Sequence, residues 1–215
     1  MDITYLGHSS FKIKSKNASI ITDPFSPEKV GLKYPKISAD IVTVSHDHDD
    51  HNKADLVKDT RMVIKNPGEY EVMGISIVGI STFHDDKKGT LRGKNTIFVI
   101  EIEDIRVAHL GDLGHVLSEK TIDKIGDVDI LLIPIGGEYT INSSQSAQIV
   151  RDMEPNIAIP MHFKVDGVDE KTFGMLSDEK SFLAEVGYMV ERTDKLVVKK
   201  ASLEEEKKVV VLNIK

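Results

Sequence analysis

The stretch Ile41-Val42-Thr43-Val44-Ser45-His46-Asp47-His48-Asp49-Asp50-His51 decides how this chain is read. Its last seven residues hold three histidines and three aspartates. The apolar run 41–44 reads as a buried strand. Residues 52–58, Asn52-Lys53-Ala54-Asp55-Leu56-Val57-Lys58, read as a short helix. Nitrogen and oxygen donors therefore gather where a strand ends and a helix begins. In extended backbone, residues two apart point the same way, so His46, His48 and Asp50 share a side while Asp47 and Asp49 face away. His51 follows, where a helical turn swings it back toward the same point. Imidazole with carboxylate suits zinc, with manganese or iron as alternatives. A solvated, metal-free loop is the plain alternative. Desolvating four donors at H-x-H-x-D-H spacing beside a buried strand, with no cation, is costly.

That element resembles the first signature of the metallo-β-lactamase superfamily. Other segments fit its branch of zinc-dependent hydrolases that includes the ascorbate-6-phosphate lactonases. They are Leu6-Gly7-His8-Ser9-Ser10-Phe11, Thr22-Asp23-Pro24-Phe25, His109-Leu110-Gly111-Asp112-Leu113-Gly114, Ile133-Pro134-Ile135-Gly136-Gly137 and Ile159-Pro160-Met161-His162. The resemblance covers residues 1–165 clearly and the remainder weakly.

Composition narrows the class. The chain has 215 residues, 40% hydrophobic and 29% charged, enough for one domain (1–215) with a substantial core. With no cysteine, disulfides and thiolate ligands are excluded. The start, Met1-Asp2-Ile3-Thr4-Tyr5, lacks the basic and apolar regions of a signal peptide. The longest apolar stretch, 130–135, is too short to span a bilayer. A cytoplasmic location and no membrane partner are expected. The formal net charge of -7 argues against a general nucleic-acid binder. It leaves an anionic small-molecule substrate open, because bound cations dominate the local field. Assembly of identical chains is compatible with the sequence.

Along the chain, residues 3–6 and 11–14 read as a strand pair, and 18–22 as a further strand. Residues 26–38 read as loop. Strand or hairpin character marks 61–64, 71–81, 96–103 and 105–108, with an exposed loop at 85–95. The second half alternates: helix from 118, strand 129–135, helix 143–153, strand 156–161, helix 178–186, then strands near 195–200 and 207–213. Strands first, then strands alternating with helices, fit an α/β (α+β) fold: a four-layer αββα sandwich of two mixed sheets. The resemblance implies the same architecture.

The resemblance also implies a ligand set. His46, His48 and His84 would hold one divalent metal, Asp50, His51 and His162 a second, and Asp112 would bridge. Asp50 and Asp112 are the catalytic candidates. His84 follows a strand end and heads a polar loop, so its imidazole is free to turn inward. His109 competes for its place, but shares a face with Ile105 and Val107 and reads better as a buried hydrogen-bonding group. Asp23 resembles a carboxylate that orients a ligand histidine. His8 and His115 read as outer or substrate-side groups. Tyr139 and Thr140, after the glycine turn 136–137, read as pocket lining. A water bridging metals about 3.5–4 Å apart loses a proton near neutral pH. The expected activity is hydrolysis of a small anionic ester, lactone or phosphoester by that hydroxide. A nuclease or phosphodiesterase of the same fold, a redox di-iron protein and a metal-binding protein without turnover are the alternatives.

Overall fold

The computed structural model describes residues 1–203 and 207–215. Strands β1 (Asp2–Gly7), β2 (Ser10–Lys14) and β3 (Ser19–Thr22) form an antiparallel meander. A one-turn helix, α1 (Pro27–Val30), is followed by β4 (Ile37–Ser38), β5 (Ile41–Thr43), β6 (Val57–Lys58) and β7 (Met62–Ile64). Then come the hairpins β8 (Gly68–Val72) with β9 (Ile75–Phe83) and β10 (Lys94–Ile102) with β11 (Ile105–His109). The second half runs α2 (Glu119–Ile125), β12 (Ile130–Pro134), α3 (Ser143–Met153), β13 (Ile157–Met161), α4 (Glu170–Phe173), α5 (Glu179–Val186). It ends with β14 (Met189–Thr193), β15 (Leu196–Val197) and β16 (Lys208–Leu212).

Two mixed sheets result. One has the order β15-β1-β2-β3-β5-β7 and the other β14-β16-β13-β12-β11-β10-β9-β8. Their facing surfaces share one core, in which Ile3, Phe11, Ile13 and Ile20 meet Phe98, Ile100, Val107 and Leu132. The next residues along β10 and β12, Ile97, Val99, Leu131 and Ile133, point the other way and pack under the helices with Ile149, Val150 and Phe182. Burial on both faces is why these strands read as unbroken apolar runs rather than alternating ones.

The helical layers are unequal. α2, α3 and α5 contribute to the core on the outer face of the eight-stranded sheet. Over the six-stranded sheet, Leu6, Ile21, Val42 and Val44 are covered by Ala39, Val57, Tyr34 and Ile37, from short segments. The helix expected over 52–58 is one of the reasons. Only Ala54–Leu56 forms a single 3₁₀ turn, after which Val57 pairs with Ile37 in a two-stranded ribbon. Lys53 before the turn offers no side-chain cap. A strand at 189–193 was not expected, and the one near 195–200 contracts to two residues that pair with β1. Among the described residues no helix is long and apolar enough to cross a membrane.

Candidate metal centre

The site lies where strand ends from both sheets meet. The segment after β5 supplies His46, His48, Asp50 and His51; His84 follows the end of β9, β11 leads to Asp112 and β13 to His162. The sheets are tied together here, since the His162 amide donates to the His8 carbonyl at 2.8 Å, as does the Tyr5 hydroxyl. His8, Asp23 and His162 all adopt positive φ, at 55°, 37° and 51°. Non-glycine residues in that region are held by their surroundings, and such strain collects at functional sites.

Asp112 is the focus. One of its oxygens, Oδ2, lies 3.2 Å from His51 Nε2, 3.2 Å from His162 Nε2, 3.3 Å from His84 Nε2 and 3.9 Å from His46 Nε2. Donor atoms within 4.8 Å of one another form three overlapping groups among the described residues: His46, His48 and His84; His8, Asp50, His51 and His162; and Asp23, His46 and His51. Yet Nε2 of His46, His51 and His162, and Oδ1 of Asp112, are buried with no hydrogen-bond partner. Buried polar atoms are seldom left unpaired. Nitrogens that converge without bonding to one another suit lone pairs aimed at a shared cation. The residues therefore fit a metal.

A hydrogen-bond relay sets the imidazole tautomers. His51 Nδ1–H donates to Asp23 Oδ2 at 2.9 Å. His46 Nδ1 lies 2.9 Å from Ser45 Oγ, whose own hydrogen goes to Asp23 Oδ2, while the Ser45 amide donates to Asp23 Oδ1 at 2.7 Å. One buried carboxylate thus leaves both Nε2 atoms free to face the centre. Asp23 lies beneath the two histidines, in contact with His51 and Ser45. Ser45, whose hydroxyl carries the relay to His46, was not anticipated.

The charges are mutually supported. Burial opposes ionisation of Asp112, but His162 and His51 hold its carboxyl well below the usual range. Burial likewise works against a charged His51, but Asp112, Asp50 and Asp23 push it well above its ordinary value, so these carboxylates favour a positive charge at Nε2, whether a proton or a metal ion. His8 goes the other way, to about 4, through burial first and then His162. Its Nε2–H donates to Asp50 Oδ2 at 3.2 Å.

The other candidates separate. His109 is buried away from the donor groups: Nε2–H donates to the Ser9 carbonyl at 2.8 Å and Nδ1 accepts from the Gly111 amide at 3.2 Å. His115 is spent on backbone, with Nδ1–H on the Val116 carbonyl and Nε2 accepting from the Phe83 amide, and it does not line the cavity. Thr140 turns its hydroxyl into its own loop, toward the Gly137 and Ile141 carbonyls. Tyr139 does line the cavity, its hydroxyl bonded to the Thr172 carbonyl at 2.7 Å.

Several supporting residues carried no sequence signal. Asn95 accepts from the Asp112 amide and donates to the Leu110 carbonyl, fixing the loop that carries the carboxylate. A Cβ on Gly111 (φ +56°) would strike Asn95 and Ser45, and one on Gly114 would strike the His84 backbone. Leu113 points into the core beneath the helices. The expected exposed loop at 85–95 is built around the buried Asp85, which accepts from the amides of Lys87, Gly89, Leu91 and Arg92. Burial resists its ionisation, but those amides hold its carboxyl down at about 2.

The centre opens into a cavity of about 490 Å³. His48, Asp50, His84 and Asp112 line it, with Lys29, Arg92, Leu91, Tyr139 and Phe173. A family model described as Beta-lactamase superfamily domain matches residues 2–162. A Thermotoga maritima crystal structure, of a candidate Zn-dependent hydrolase of the metallo-β-lactamase superfamily, is 38% identical, covers 98% of this chain and 97% of its own, and superposes with a TM-score of 0.82. A UPF0173 protein of Pyrococcus abyssi is 33% identical over 185 residues, 78% of this chain and 85% of its own length. A UPF0173 metal-dependent hydrolase of Methanopyrus kandleri is 28% identical over 193 residues, 76% of this chain and 84% of its own length. With its mixed sheets and its clustered histidines and aspartates, this chain belongs to the metallo-β-lactamase superfamily.

Proposed function

We propose that this protein is a metal-dependent hydrolase that holds two divalent ions, zinc foremost, and cleaves a small anionic ester, lactone or phosphoester. The observation that carries this reading is the convergence of two donor groups on Asp112, with buried ring nitrogens left unpaired. His46, His48 and His84 would hold one ion, Asp50, His51 and His162 the other, and Asp112 would face both. Bound there, the ions would acidify a water and polarise the substrate's carbonyl or phosphoryl oxygen.

The chain's own residues do the rest. Asp23 and Ser45 fix which nitrogen of His51 and of His46 faces the centre. His8 orients the Asp50 carboxylate through its Nε2–H, which gives that carboxylate a defined direction at the centre. Phe173, Tyr139 and Leu91 supply an apolar wall that holds the organic part of a substrate and sheds water. A cavity of about 490 Å³ suits a small molecule better than a polymer, which favours this reading over a nuclease.

The test is elemental analysis after reconstitution with zinc or manganese, followed by a screen of esters, lactones and phosphoesters. Two ions per chain with metal-dependent turnover are expected. A stoichiometry that stays at or below one removes the two-metal assignment. Two bound ions with no turnover on any substrate class would leave a metal-binding protein.

A further inference from the structure

The cavity contains two cations that the metal centre does not use. Lys29, on α1, and Arg92, at the end of the Asp85 loop, both line it. Among the described residues neither has a carboxylate partner, whereas Asp49 on the same wall is ion-paired to Lys53. Arg92 is half-buried and firmly held. Its amide donates to Asp85 Oδ2 at 2.8 Å, one Nη2 hydrogen goes to the Glu138 carbonyl at 3.2 Å, and the guanidinium sits 5.6 Å from the centre of the Tyr139 ring. Nothing in this arrangement neutralises the guanidinium. A stacked, pre-oriented arginine with donors to spare matches a planar or tetrahedral oxyanion.

Building on the hydrolase reading, we infer that Arg92, assisted by Lys29, is the specificity-determining anion clamp of this cavity. The substrate then carries a carboxylate or phosphate apart from the bond that is cleaved. Its organic part lies against Phe173 and Leu91. His84 and Asp85 are adjacent in sequence, and Asp85 fixes the Arg92 backbone. One short loop thereby sets the spacing between the metal centre and the clamp. A neighbouring cavity of about 410 Å³ also touches Arg92 and His48 and carries Lys65 and Lys94. Both of those lysines are exposed, so solvent screens them more than it screens the half-buried Arg92.

The experiment uses the zinc-reconstituted 215-residue chain, with metal content measured on every sample before titration. Calorimetry follows binding of phenylphosphonate and of its uncharged diethyl ester. Wild type should bind the anion and not the neutral ester. Arg92→Gln should weaken phenylphosphonate roughly ten- to hundredfold, the scale of a lost charge-assisted hydrogen bond. Lys29→Gln should weaken it roughly two- to fivefold, as suits an exposed charge. Lys65→Gln and Lys94→Gln should leave it within about twofold. Zinc content should match wild type throughout. Unchanged affinity in Arg92→Gln, no binding by wild type, or a loss confined to the Lys65 and Lys94 variants overturns the clamp. Wild-type protein that retains no zinc counts against the hydrolase reading instead.

Discussion

Asp112 is positioned through its backbone: its N–H donates to the Asn95 side-chain oxygen from a distant strand, and the preceding Gly111 leaves room for that approach. Asp112→Ala should therefore abolish metal-dependent turnover while leaving the fold in place. Circular dichroism, melting and metal content measured together decide this; a native-like variant that keeps its ions and its activity would falsify the bridging role. The two competing histidines call for a paired comparison. His84→Ala should lower metal occupancy, because its Nε2 faces Asp112. His109→Ala should retain metal but lose roughly 1–3 kcal/mol of stability, since it strands the buried Ser9 carbonyl and Gly111 amide. Reversal of those outcomes by elemental analysis and denaturant titration would exchange their roles. Asp23 acts one step further out. Asp23→Asn replaces one accepting oxygen by an NH2 and cannot serve the Ser45 amide together with His51 and the Ser45 hydroxyl, so metal affinity should fall roughly 10–100-fold.

At the scale of elements, Asp40, the residue before β5, pins the starts of β3 and β7 beside it. Its carboxylate accepts from the Ser19 amide and hydroxyl at the head of β3 and pairs with Arg61 ahead of β7. Burial would raise this carboxyl, but the Ser19 bonds and Arg61 hold it below its ordinary value. A depressed folded-state value means the stabilisation is present above the unfolded-state pKa, near 3.9, and is lost as pH falls through the folded-state value. Asp40→Asn should accordingly lower the melting temperature at neutral pH and flatten its decline between about pH 4 and the folded-state value. Parallel melting curves for both proteins across acid pH would refute it. Glycine 114 limits the β11 loop in another way. A methyl there meets the His84 backbone, so Gly114→Ala should destabilise by more than about 1 kcal/mol and loosen His84 together with it.

Across the whole molecule, the centre draws buried carboxylates and imidazoles from both sheets into one point. Ligands that exist as a set only in the folded chain couple metal binding to stability. A free metal concentration about 100 times the dissociation constant adds about 2.7 kcal/mol per site. For a chain of this size that is roughly 5–10 °C in melting temperature. Removal of metal by a chelator should reverse the gain, and equal melting temperatures with and without metal would count against a folded-state site.

How much of this was legible beforehand follows from where each signal resides. The fold class and the ligand types are local. A buried apolar run ending in H-x-H-x-D-H gives both strand and donors, and capped periodic segments such as the Asn142–Gln145 box ahead of α3 mark helices. Residues 52–58 misled because local helical character lost to the pairing of Val57 with Ile37, a contact that sequence spacing does not reveal. Asn95, Ser45, Asp85 and Arg92 were silent for the same reason. Each is an ordinary polar residue whose part depends on a partner distant in the chain or on how a loop closes. The sequence alone determined which chemistry could assemble and on which kind of scaffold. Only the tertiary structure decided that His84 and not His109 reaches Asp112, that Asp23 orients His51 directly and His46 through Ser45, and that Arg92 faces the cavity. The physical reason is that a side chain's type is written locally, whereas its direction is set by strands brought together from opposite ends of the chain.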